Sequence, residues 1–254
     1  MRKAIKPFSY LLAIGLFITG PVFTDFTGVA SRAKATPQLA QPEQCFGSGE
    51  LDASITTLRT YLAGSELQKA VSLLLRKARG SQECRAQVIG ALITAMSHIT
   101  PRDPRLGTVG VNQQTYYLWD NGATLLAKLH ATEALDLLIT NLALTDGWSV
   151  SLHHYPAVAA VIGIGPPAIP KLEYVLHNNP QPSMRKFAVF CLSQIGGAQS
   201  RTALSKALPN ETDPCVNRIM RISLELFGKK AVPNSLTPAD GRLYSAIYCL
   251  PEGH

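Results

Sequence analysis

Residues Val161–Pro180 read "VIGIGPPAIPKLEYVLHNNP": two glycines two apart, two prolines, then an apolar run. Two folds compete for this stretch. A dinucleotide-binding turn would use Gly163 and Gly165 to bring backbone against a phosphate, between a strand and a helix. A helix boundary would use Gly165 at the αL C′ position to end one helix, and Pro166–Pro167 to stop it and set φ for the next. The flanks decide. "PAVAAVIGI", Pro156–Ile164, opens with proline and is rich in alanine, which reads as a helix start. The third-glycine position holds Ala168, a permitted variant, but no acidic residue about 20 positions on closes a second strand. Ile169, Leu172, Val175 and Leu176 then recur with helical spacing. The stretch predicts two helices and a boundary.

The same reading extends outward. Leu51, Ile55, Leu58 and Leu62 form one helical stripe, stopped by Gly64. Ser65-x-x-Gln68 predicts a capping box opening a helix over 67–79, and Gly80 ends it. A helix over 83–99 follows, with Val88, Ile89, Leu92, Ala95 and Met96 inward. Residues 100–112, "TPRDPRLGTVGVN", break the pattern as a loop. Helices are predicted again at 113–129, 132–144, 156–164, 167–178, 183–195, 198–208 and 214–227. Thr237 and Pro238 mark a short last helix within 229–254. No convincing alternating strand pattern occurs.

Self-comparison finds a repeat. The template is apolar, Arg, two variable residues, Ala, two variable, small, Leu, two variable, Ile, Gly. "MRKFAVFCLSQIG" at 184–196 matches it through Met184, Arg185, Ala188, Cys191, Leu192, Ile195 and Gly196. "VNRIMRISLELFG" at 216–228 follows, with Asn217 for Arg; 153–165 and 118–130 match less closely, the latter with His130 in the glycine slot. These segments, with "HHYPAVAAVIGIGPPAIPKLEYVL" (153–176), resemble the short bacterial HEAT-like repeats first named from phycobilisome lyases, in the form carried by secreted proteins. The resemblance covers 113–228 well and 51–99 more loosely, as degenerate N-terminal repeats. It implies an all-α fold: an α-solenoid, an armadillo/HEAT-like right-handed superhelix of stacked antiparallel helix pairs. The irregular repeat lengths and the 100–112 loop depart from a regular array.

The chain begins "MRKAIKPFSYLLAIGLFITGPVF", a basic start followed by an apolar run that Gly20–Pro21 cuts short of a membrane span. Ala33–Lys34–Ala35 fits a small-x-small cleavage rule, so 1–35 reads as a signal peptide cut after Ala35, with Ala30 as the second choice. The alternative is an uncleaved anchor, the only membrane contact expected. Residues 36–50, rich in Pro, Gln and Gly, read as a linker. The chain of 254 residues carries +7; removing the +4 of residues 1–35 leaves +3, and no basic stripe interleaved with aromatics remains to suggest nucleic acid. The expected location is periplasmic or extracellular.

Export favours disulfides among Cys45, Cys84, Cys191, Cys215 and Cys249. Cys45–Cys84 with Cys215–Cys249 would tie each terminal segment to the helical body and leave Cys191 as a buried thiol, one of several possible pairings. No Cys-x-x-Cys, His-x-x-x-His or Gly-x-Ser-x-Gly occurs. The His-Glu pairs that serve di-iron hydroxylation in some HEAT-like proteins are missing too. No catalytic, cofactor or metal residue is therefore assigned, and the expectation is a non-enzymatic scaffold or adaptor that binds another protein or peptide. Its candidate contacts are Trp119 in "TYYLWD" and Trp148, His153, His154 and Tyr155 in "DGWSVSLHHY", since aromatics are enriched at interface hot spots; for Tyr116 and Trp119 the competing reading is core. The alternative functions are a structural module of the cell envelope, or a small-ligand binder or enzyme using the 146–155 loop.

Overall fold

Proline sets the start of three helices. Pro156, Pro182 and Pro214 each occupy the first helical position of α6 (Pro156–Ile164), α8 (Pro182–Ile195) and α10 (Pro214–Leu226), where no N–H is needed and φ is already helical. Side chains cap others: Ser81, Asn112 and Asp213 accept from Cys84 N, Thr115 N and Val216 N, starting α3 (Gln82–Ser97), α4 (Gln113–Lys128) and α10. The remaining helices are α1 (Glu50–Thr57), α2 (Ser65–Gly80), α5 (Leu135–Thr140), α7 (Ile169–Asn178) and α9 (Gly197–Ala207). This computed structural model describes residues 45–60, 64–98, 109–146 and 154–227, with Leu243 and Ile247. All belong to one compact unit, Gln44–His254; the unit Met1–Glu43 lies outside the described residues. The expected signal peptide with Ala35, Trp148, His153, Cys249 and the Thr237 helix also lie outside them.

The described fold is almost wholly helical. Helices α1, α2 and α3 pack on one another and α3 packs on α4. Thereafter α4, α6, α8 and α10 touch in succession, while α5, α7 and α9 touch in a second succession, with α5 on α6, α7 on α8 and α9 on both α8 and α10. The core lies between these sets. It includes Trp119, Leu126, Val161, Phe190, Leu192 and Met220, none measurably exposed.

The opening stretch is a helix boundary. Helix α6 ends at Ile164, a 3-10 turn spans Pro166–Ala168, and α7 begins at Ile169. Gly165 has φ 84 and ψ −140, which corrects the expected αL conformation to an extended positive-φ one that only glycine adopts freely. Gly163 serves packing: a Cβ built on it would stand 3.0 Å from Ala127 Cβ, so its hydrogen lets α6 lie close on α4.

Three local expectations change. Gly64, not Ser65, is the N-cap of α2, and no side chain caps it, so the expected capping box is not formed. The helix expected over 132–144 is a 3-10 turn plus the six residues of α5. Asn141 leaves helical geometry there, its side-chain amide donating to Leu137 O, and the chain runs into β2 (Leu144–Thr145). That strand pairs in parallel with β1 (Val109–Gly110), a pairing too short to show any period in sequence.

The Cys45–Cys84 disulfide is present and holds the chain before α1 to the start of α3. Cys215 is also disulfide-bonded; its expected partner Cys249 lies outside the described residues. Cys191 is a free, fully buried thiol whose pKa burial pushes up, as expected of an inert core cysteine.

Candidate functional site

The aromatic cluster that sequence singled out divides between core and surface. Trp119 lies on the inner stripe of α4 with Thr115, Leu118 and Gly122, and it is wholly buried. Its indole N–H donates to Met96 O at 3.1 Å, satisfying the one polar atom of the side chain. Trp119 is thus a core residue and offers nothing to a partner. Tyr155 is corrected in the same way: 7% exposed, its ring packs 4.6 Å from that of Phe187 on α8. Burial, with the charge of Asp146, raises its phenol pKa.

His154 alone of the described candidates reaches solvent, its side chain 36% exposed. Its Nδ1 lies 2.6 Å from Asp146 Oδ2, and its ring stacks on Tyr116 with centroids 6.3 Å apart. Tyr116 is edge-on to Tyr117, whose hydroxyl accepts from Gln113 Nε2 at 2.6 Å. Burial and then the charges of Asp120 and Asp146 push the Tyr116 phenol well up. Asp120 is exposed, yet the protein mass around it raises its carboxyl above the usual range against the opposing charge of His154. The Asp146–His154 pair joins the ends of the segment that carries Trp148 and His153. Among the described residues no group of three or more His, Cys, Asp or Glu side chains could hold a metal ion.

A second feature lies on the α5–α7 side and was not singled out in sequence. A groove of about 710 Å³ runs between α5, α7 and the start of α8. Ile139, Pro170, Val175, Pro180 and Met184 give it an apolar lining, and Tyr174 stands on its edge. Tyr174 is 68% exposed, the large apolar side chain most open to water among the described residues. The two charges in the groove, Asp136 and Lys171, bond to each other at 2.5 Å across α5 and α7. Thr140, Asn179 and Gln181 supply its uncharged polar groups. The signal was present in the sequence: α7 buries Ile169, Leu172, Val175 and Leu176, so Tyr174 is an aromatic on the helix's polar face.

No family model, curated protein or solved structure matches this chain.

Proposed function

We propose that the protein is an exported, non-enzymatic scaffold built as a HEAT-like α-solenoid, which holds an extended segment of a partner protein in the groove between α5, α7 and α8. The two successions of touching helices support the solenoid reading, since stacked pairs bury their faces only on neighbours. The observation that carries the binding reading is the Tyr174 groove: an exposed aromatic beside a concave apolar lining is the kind of patch that marks an interaction site. Its charges cancel within the Asp136–Lys171 pair, so it favours an uncharged apolar segment. The size, about 710 Å³, lies within the usual 300–1,000 Å³ of ligand sites. No described helix is long and apolar enough to cross a membrane.

The test is capture from the native envelope and secreted fractions, wild type against Tyr174→Ser. That change leaves the core untouched, so both proteins melt alike. A protein retained by wild type and lost with Tyr174→Ser supports the groove; equal retention by both sinks it. One observation favours the alternative of a small-ligand binder or enzyme: Asp146 orients His154, leaving Nε2 free for proton transfer. A purified protein carrying a small molecule that His154→Ala releases would move that reading forward.

A further inference from the structure

A different part of the molecule concentrates positive charge. A cavity of about 350 Å³ opens where the end of α2, the first turn of α3 and the last turn of α4 meet. Arg79, Arg85 and Lys128 line it, one cation from each helix, with Ser81 and Gln82 beside them and Ala78 as apolar floor; no acidic side chain is in the lining. The three cations differ in how they are held. Arg85 is fixed: it donates to Glu133 Oε1 at 2.6 Å and to Leu129 O at 3.1 Å. That hydrogen bond holds the Glu133 carboxyl below its usual range, so Glu133 stays ionised and balances Arg85. Arg79 and Lys128 form no ion pair among the described residues. Two positive charges therefore remain uncompensated around one concavity. Ser81 Oγ already takes the Cys84 amide, so the attraction comes from the side-chain cations rather than from the helix start.

We infer that this cavity binds a phosphate group, with Arg79 and Lys128 as its direct cationic partners. The Arg79 guanidinium fork matches a tetrahedral oxyanion in two-point geometry, and the Lys128 ammonium adds a point charge. Two unpaired cations from two helices facing one concavity suit a compact, multiply charged oxyanion better than a single carboxylate. The group can come from free phosphate or from a phosphomonoester lipid headgroup, and its recognition is independent of the Tyr174 groove.

The test is an amide NMR titration of the exported protein with sodium phosphate, against sodium chloride at matched ionic strength. Phosphate is expected to move the Arg79–Arg85 and Lys128–His130 amides to saturation, and chloride to leave them. The exposed pair Arg79→Ala/Lys128→Ala keeps the wild-type melting curve and weakens binding by at least about tenfold, the loss expected for charge-assisted contacts. Identical shifts with chloride, or unchanged affinity in the double variant, would overturn the site. Vesicles of phosphatidylcholine with and without phosphatidate distinguish the source. Binding only with phosphatidate, displaced by free phosphate, assigns a headgroup; phosphate shifts without vesicle binding assign a soluble ligand.

Discussion

Arg185 is the template arginine, and its loss should be among the most damaging single changes in the chain. Its Nε and Nη2 donate to Glu211 Oε2 and Oε1, both at 2.8 Å, a two-point pair. Its Nη1 donates to Asn179 O at 2.9 Å and Pro180 O at 3.1 Å, where α7 hands over to α8. The side chains are 12% and 2% exposed, so solvent has little access to the Arg185–Glu211 pair. Arg185→Met would leave Glu211 buried with the Asp213 N–H still donating to it, and would remove the guanidinium from the Asn179 and Pro180 carbonyls. Breaking a buried pair from one side costs about 3–5 kcal/mol. At roughly 2–4 °C per kcal/mol for a domain of this size, the melting temperature should fall by about 6–20 °C. The double variant Arg185→Met/Glu211→Leu removes both charges together and should cost clearly less than the sum of the single changes. The pH dependence follows from Glu211. Burial pushes its carboxyl up, but the Arg185 hydrogen bonds and the Asp213 amide outweigh that and hold it below the ordinary value. The pair's stabilisation is therefore complete above the unfolded carboxylate pKa, about 4.3, and is lost as pH falls through the lower folded value. Urea unfolding followed by circular dichroism, at neutral pH and again in acid, measures both effects. A cost under about 1 kcal/mol for Arg185→Met, or a double variant as damaged as the sum of the singles, would refute the reasoning.

Two further predictions rest on single contacts. Gly163→Val should cost about 1–3 kcal/mol in the same assay, because Ala127 Cβ cannot retreat without moving α4; Gly122→Ala should cost less, since the atom it meets is the flexible Met96 Sδ. A Gly163→Val protein as stable as wild type would mean that α6 and α4 are not so close. Replacing both Cys45 and Cys84 by Ala opens a link across 39 residues and should cost about 4 kcal/mol by loop entropy, with the Cys215 bridge untouched. An unchanged midpoint would show that the stretch from Cys45 to α3 is held by packing alone.

Much of the helix layout was legible because its punctuation is chemical. Proline at the first position, glycine at the last and the 3.6-residue stripe between them are local, and they place α6 to α10 within a residue or two. The glycine slot of the template carries this furthest. Gly165 and Gly196 have φ of 84 and 72, and His130, the residue standing in that slot after α4, also has positive φ, at 46. What was not legible depends on residues far apart in sequence. Tyr155 is buried by Phe187, and α5 stops where β2 finds β1. Trp119 stood open in sequence between interface and core; position 119 falls with Leu118 and Leu126 on the inner side of α4, and packing makes it core. Tyr174 is the reverse case, an aromatic on a polar face whose groove exists only once Ile139 of α5 and Met184 of α8 line one concavity beside α7.

The second slot of the sequence template holds Trp119, His154, Arg185 and Asn217. Arginine stands there once, which in sequence looked like decay. In the structure each of the four occupants has a partner earlier in the chain. Trp119 donates to Met96 O, near the end of α3; His154 pairs with Asp146, after β2; Arg185 donates to Asn179 O and Pro180 O, after α7; Asn217 donates to Glu211 O, before α10. Arg185 and Asn217 tie the first turns of α8 and α10 to the chain just before them, whereas Trp119, in the second turn of α4, reaches back into α3 and His154 lies ahead of α6. An indole, an imidazole, a guanidinium and an amide share only an N–H, and any N–H of suitable reach serves. A residue-identity template therefore registers a departure at Asn217 where the physical requirement, a donor aimed back at the incoming chain, is met as it is at Arg185. If that donor holds the slot, Asn217→Leu should loosen the α9–α10 connection, read as faster amide exchange at Glu211–Asp213, whereas Asn217→Gln should keep it slow. Equal exchange in both variants would mean that the slot is held by packing rather than by its donor.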